Sequence, residues 1–145
     1  MPMSASPQLG SEPPGSRRSP FGPALDLTLR VAGGLLSVVG AVLTGVLELL
    51  LSTLRVGGYL IGVSAVIAVL ANVALSWFAY RTVGRKAAVA LPALIWFVLM
   101  MVAAGGTDEG DILLAGDNWV ALALIVAGSM AFAVMAFRLI LAPRR

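Results

Sequence analysis

The sequence predicts an all-α protein: an integral membrane four-helix bundle preceded by a disordered N-terminal tail. Three observations carry that prediction. Four apolar runs each meet or approach the ~20 residues that cross about 30 Å of hydrocarbon. The connections between them are short and hold most of the polar residues. The basic residues stand at the ends of apolar runs rather than together on a soluble face. With 59% hydrophobic and 12% charged residues in 145, the chain lies far from the balance of a soluble globule.

Residues 1–24, MPMSASPQLGSEPPGSRRSPFGPA, are rich in Pro, Ser and Gly and carry no periodic apolar pattern, as expected of a disordered cytoplasmic tail. The SRRSPF segment superficially resembles a twin-arginine export signal. The apolar run after it is too long for a signal's hydrophobic region, and no small-residue cleavage site closes it. Basic residues flanking a first membrane helix explain it better. The transmembrane domain is expected over 25–145, with helices at about 31–54, 56–80, 87–104 and 119–142. Residues 55–58 make the first turn, RTVGRK the second and GGTDEGDILLAGDN the third. The third helix is the shortest and carries Pro92 near its beginning, where a kink or a helix start is expected. Short connections make sequential neighbours antiparallel.

The third connection (105–118) holds four of the chain's seven acidic residues. Gly105 and Gly106 can supply the positive φ that ends a helix. Asp117 or Asn118 can cap the fourth helix, and Asp117 is expected to be structural for that reason. Between them, Ile112, Leu113 and Leu114 can dip to the interface, with Glu109 and Asp111 facing water or a partner.

Charge predicts orientation. Arg17, Arg18 and Arg30 precede the first helix, Arg81, Arg85 and Lys86 fill the second loop, and Arg138, Arg144 and Arg145 end the chain. With an even number of spans all of these fall on one side, which the positive-inside rule makes cytoplasmic; Arg55 alone lies opposite. Both termini are then cytoplasmic, the membrane is the plasma membrane, and the acidic loop faces outward. Tyr59 and Trp119 would sit at the outer interface, Trp77 and Tyr80 at the inner one.

Small residues recur every fourth position: Gly33, Ser37, Ala41 and Gly45 in the first helix, Ser64, Ala68, Asn72 and Ser76 in the second, Ala123, Ala127 and Ala131 in the fourth. Such ridges let helix backbones approach closely in lipid, either within the bundle or against a homo-oligomer or membrane-complex partner. Asn72, near mid-span, is expected to hydrogen-bond to a neighbouring helix.

Glu48 is the acidic residue inside a span, and a carboxyl in hydrocarbon costs several kcal/mol unless it is paired, protonated or near water. It lies about 27 Å beyond Arg30 along the helix, near the outer boundary. Arg55, nearly two turns further, shares its face, so an ion pair or a shared reach to interfacial water is expected. A first-helix Glu in a small four-span protein also resembles the small multidrug transporters, with two departures: this Glu sits late rather than centrally, and the charge asymmetry opposes weak or dual topology. The alternative function is therefore a small proton-coupled transporter or channel using Glu48.

Catalysis is not expected. The chain has no Cys and no His, which removes a thiolate, the usual general base and the commonest metal ligand. Asp108, Glu109, Asp111 and Asp117 could chelate a hard cation, but their spacing is not that of an EF-hand. Paired carboxylates can hydrolyse glycosides, yet a fourteen-residue loop offers little from which to build a sugar cleft. No cofactor, catalytic or metal site is assigned, and no nucleic-acid partner.

The run PALIWFVLMMVAAGGTDEGDILLAGDNWVALALIVAGSM resembles the second half of a family of small actinobacterial four-span membrane proteins of unknown function. The likeness rests on Pro92 and Trp96, then Glu109, Gly110 and Asp111, then Gly128. It covers roughly the last 50 residues and the four-span layout, and implies no catalytic residue. It also implies that the acidic loop has a structural or binding purpose. The resulting expectation is a non-catalytic structural or accessory subunit. Its partners are the lipid bilayer and a possible homo-oligomer or complex, with Glu48, Arg55, Asn72, Glu109 and Asp111 as candidate functional or contact residues.

Overall fold

The structure, a computed structural model, describes residues 22–105, 114 and 117–141. In chain order these form α1 (Gly22–Ser52), a two-stranded hairpin of β1 (Arg55–Val56) and β2 (Tyr59–Leu60), α2 (Val63–Val83), a 3₁₀ turn (Lys86–Val89) running into α3 (Ala90–Ala104), and α4 (Trp119–Leu141). The four spans are all long and apolar enough to cross a membrane. The protein is a multi-pass membrane four-helix bundle.

The largest departures from the expected boundaries are at the starts of the first two helices. The first helix begins at Gly22 instead of residue 31 and has 31 residues, about 46 Å. Pro23 is tolerated because a first-turn N–H has no intrahelical acceptor. Asp26 and Arg30 pair at 2.9 Å one turn apart. Of the expected tail, residues 1–21 lie outside the described residues.

The second helix does not start at Val56. Gly57 and Gly58 take φ of +59° and +85°, the pair of left-handed residues that a two-residue hairpin turn demands. Arg55 then pairs with Leu60 and Val56 with Tyr59. The Ile61 amide donates to the Leu54 carbonyl at 3.2 Å, closing the base of the hairpin. Val56 is thus a strand residue, and α2 runs from Val63 to Val83. It ends as a glycine-capped helix should: Gly84 is left-handed (φ +73°) and its amide donates to Tyr80 O at 3.0 Å. The Arg30 guanidinium donates to the Val83 carbonyl at 3.3 Å, placing a cation at that C-terminus. Pro92 lies in the first turn of α3, where it starts the helix rather than kinking it. At the other end Gly105 stays right-handed (φ −75°), its amide bonding back to Met101 and Val102, while Gly106 lies outside the described residues.

The helices follow chain order but do not all pack as sequential neighbours. The first packs on α2 and α3, α2 also packs on α4, and the backbones of α3 and α4 scarcely approach each other. Small residues explain the tight pairs. A Cβ on Gly33 would come within 2.6 Å of Thr82 Oγ1, and one on Gly40 within 2.7 Å of Leu75 Cδ2. The ridge of α1 is buried at Gly33, Ser37, Ala41 and Gly45, and that of α2 at Ser64, Ala68, Asn72 and Ser76. Several hydroxyls on these faces turn back onto their own helix, Ser37 to Gly34 O and Ser76 to Asn72 O, each at 2.7 Å. Their outward faces present leucine and valine to lipid.

The fourth helix departs from its expected ridge. Ala123 and Ala127 are only half-buried, and the buried line runs through Leu124, Gly128, Ala131 and Met135. The core combines Ala68, Trp96, Met100, Leu124 and Phe132 with Leu114, whose amide reaches Ala103 O at 3.3 Å. Leu114 therefore enters the core, not the interface.

Candidate functional site

One residue from each helix meets in the interior: Glu48 of α1, Asn72 of α2, Trp96 of α3 and Gly128 of α4. The first three are fully buried, and Gly128 is buried with them. Trp96 organises the group. An indole is large and apolar but carries one N–H that needs an acceptor when buried. Nε1 donates to Glu48 Oε2 at 2.7 Å, short for an N–H···O bond. The ring fits because Gly128 leaves room for it. A Cβ on Gly128 would stand 2.7 Å from Trp96 Cη2, whereas one on Gly45 would meet Leu99 Cδ1 at 3.0 Å and touch the indole only at an ordinary 3.7 Å. A mid-helix glycine costs roughly 1 kcal/mol relative to alanine, and here the indole is the reason for it. Phe97 and Phe132 extend the cluster, their ring centroids 5.1 and 5.8 Å from Trp96.

Asn72 bonds across the interior as expected, Nδ2 donating to the Gly128 carbonyl on α4 at 3.4 Å. A helix carbonyl already accepts one bond, so the amide uses its second lone pair. Three buried polar atoms have no partner among the described residues: Glu48 Oε1, Asn72 Oδ1 and Ser64 Oγ. The antiparallel register of α1 and α2 carries Glu48 to the level between Ser64 and Ala68. The unmet hydrogen-bonding capacity thus gathers in the half of the bundle nearer the hairpin.

The expected Glu48–Arg55 pair does not form. The helix ends at Ser52, so Arg55 is not two turns further on the same face; it is an exposed strand residue, while Glu48 turns inward to Trp96. Among the described residues the ion pair present is Asp26–Arg30. Glu109 and Asp111, like Asp108, lie outside the described residues. Asp117 is exposed, and the cap of α4 is Asn118. Its Oδ1 accepts from the Val120 and Ala121 amides at 3.0 and 3.3 Å, and its Nδ2 donates to Ser52 O at 3.0 Å. One side chain caps α4 and satisfies a terminal carbonyl of α1, a second task that an aspartate, having no N–H, cannot perform. Trp119 packs over Gly62, so it lies at the hairpin end with Tyr59.

Residue-level reasoning missed the partnership of Trp96 with Glu48, although a tryptophan at the centre of an apolar span signals a buried acceptor nearby. No family model matches the chain, and no curated protein or solved structure matches it.

Proposed function

We propose that this membrane protein is a non-catalytic structural or accessory subunit of a plasma-membrane assembly, with both termini cytoplasmic. The observation that supports this reading is the internal use of Glu48. The costliest side chain in the spans is fully buried and accepts the Trp96 N–H, joining α1 to α3. That is how a polar group serves helix association in lipid. The resemblance carried by Pro92, Trp96 and Gly128 agrees with a family lacking an assigned activity. Affinity purification in mild detergent, with mass spectrometry of what co-elutes, tests it. A stoichiometric membrane partner supports the subunit reading; a protein that elutes alone or only with itself opposes it.

A second reading, a small proton-coupled transporter or channel, is favoured by the unpartnered Glu48 Oε1 and Asn72 Oδ1. Proteoliposomes containing a pH dye distinguish the two. Proton flux down an imposed gradient that is lost in Glu48→Gln, with folding retained, would overturn the subunit reading.

A further inference from the structure

At the end of the bundle where α2 stops and α3 begins, two recesses open beside α4. One, of about 430 Å³, lies between α3 and α4, walled by Ala90, Ala93 and Ala133 and closed toward the bundle centre by Phe97 and Phe132, with Lys86 at its other end. The second, of about 510 Å³, shares Leu139 with the first and is lined by Tyr80 and Arg81. Arg81 is exposed and lies over the Trp77 ring, 5.2 Å from its centroid. Lys86 is half-buried and held by a contact within the protein. A long apolar slot ending at Lys86 therefore adjoins, across Leu139, a recess that carries Arg81 and an interfacial tyrosine.

Size and charge select the occupant. The walls run about 15 Å along the helices at 1.5 Å per residue. A recess of about 430 Å³ drawn out over that length is long and narrow. The slot accepts an extended hydrocarbon chain, and the two cations suit a phosphate. Basic pockets between spans are where anionic headgroups bind. We propose that the composite groove binds one anionic glycerophospholipid. One acyl chain lies between α3 and α4, the phosphate lies against Lys86 and Arg81, and the second chain remains in the bilayer.

Native mass spectrometry of protein released from nanodiscs of equal parts phosphatidylglycerol and phosphatidylcholine tests this. The wild type is expected to retain one phosphatidylglycerol, preferred about tenfold over phosphatidylcholine. Ala133→Phe and Ala90→Phe, both at exposed positions, should lose the bound lipid with unchanged circular dichroism. Lys86→Gln with Arg81→Gln should retain lipid without headgroup preference. Equal retention of the two lipids by the wild type overturns the proposal, as does undiminished phosphatidylglycerol binding in both phenylalanine variants. A dimer that carries no lipid and dissociates in Ala133→Phe would assign the groove to a second copy instead.

Discussion

The α1/α2 and α3/α4 pairs are both antiparallel apolar helices, yet one is closed and the other parted. Where α1 meets α2, glycine, serine and alanine line both faces and the backbones come together. Where α3 meets α4, Trp96, Phe97 and Phe132 stand between the helices and hold them apart, leaving a groove below the rings. Without a hydrophobic driving force between helices in lipid, residue size decides how close they come. The comparison teaches that Gly128 is a slot cut for a ring, whereas Gly33 serves the close approach of α1 to α2.

The largest test of that contrast removes the ring. Trp96→Ala should cost about 3 kcal/mol or more, by cavity formation and loss of the Glu48 bond. Phe97→Ala, at an exposed position on the groove, should cost under about 1 kcal/mol. Unfolding in mixed detergent–dodecyl sulfate micelles measures both, and similar costs would break the distinction between the buried ring and the ring at the groove.

Next comes the size of the slot. Gly128→Ala drives a Cβ into a rigid indole and should cost about 2 kcal/mol despite the gain in helix propensity. In Gly40→Ala the new atom meets the movable end of Leu75 and should stay within about 0.5 kcal/mol of wild type.

A smaller effect is expected at Glu48. The glutamine oxygen of Glu48→Gln can still accept the Trp96 N–H, so the loss should be about 1 kcal/mol. A double-mutant cycle of Glu48→Ala with Trp96→Phe, in which each change removes the bond, should show coupling of about 1 kcal/mol. Additive effects would mean the bond contributes nothing to holding α1 against α3.

At the hairpin end, Asn118→Ala should cost about 1 kcal/mol through the lost cap, and Asp117→Ala less than about 0.5 kcal/mol. The reverse order would restore Asp117 as the cap. Sidedness can be read with no stability change at all. Single cysteines in this cysteine-free chain at Arg55 and Arg85, exposed beyond opposite ends of α2, should differ toward an impermeant thiol reagent in intact cells. Arg55→Cys should label and Arg85→Cys should not; the opposite result inverts the proposed orientation.

The sequence by itself determined what depends on local chemistry. Span number follows from apolar length, because no backbone can cross hydrocarbon without satisfying its own hydrogen bonds. The buried faces of α1 and α2 follow from the four-residue recurrence of small side chains. Even the hairpin was legible in the Gly57–Gly58 pair, although apolar residues beside it suggested helix. The tertiary structure decided whatever depends on partners distant in the chain. Glu48 turned from Arg55, seven residues away, to Trp96, forty-eight away, because α1 ends at Ser52 and the indole N–H is the donor that the packed interior supplies. The line of Ala123, Ala127 and Ala131 gave way to one through Gly128, since alanines pack acceptably on either face while a ring admits only glycine. The parting of α3 from α4 could not be read from two apolar runs, because lipid solvates such faces as well as protein does. Only the shapes brought against them choose which side is buried.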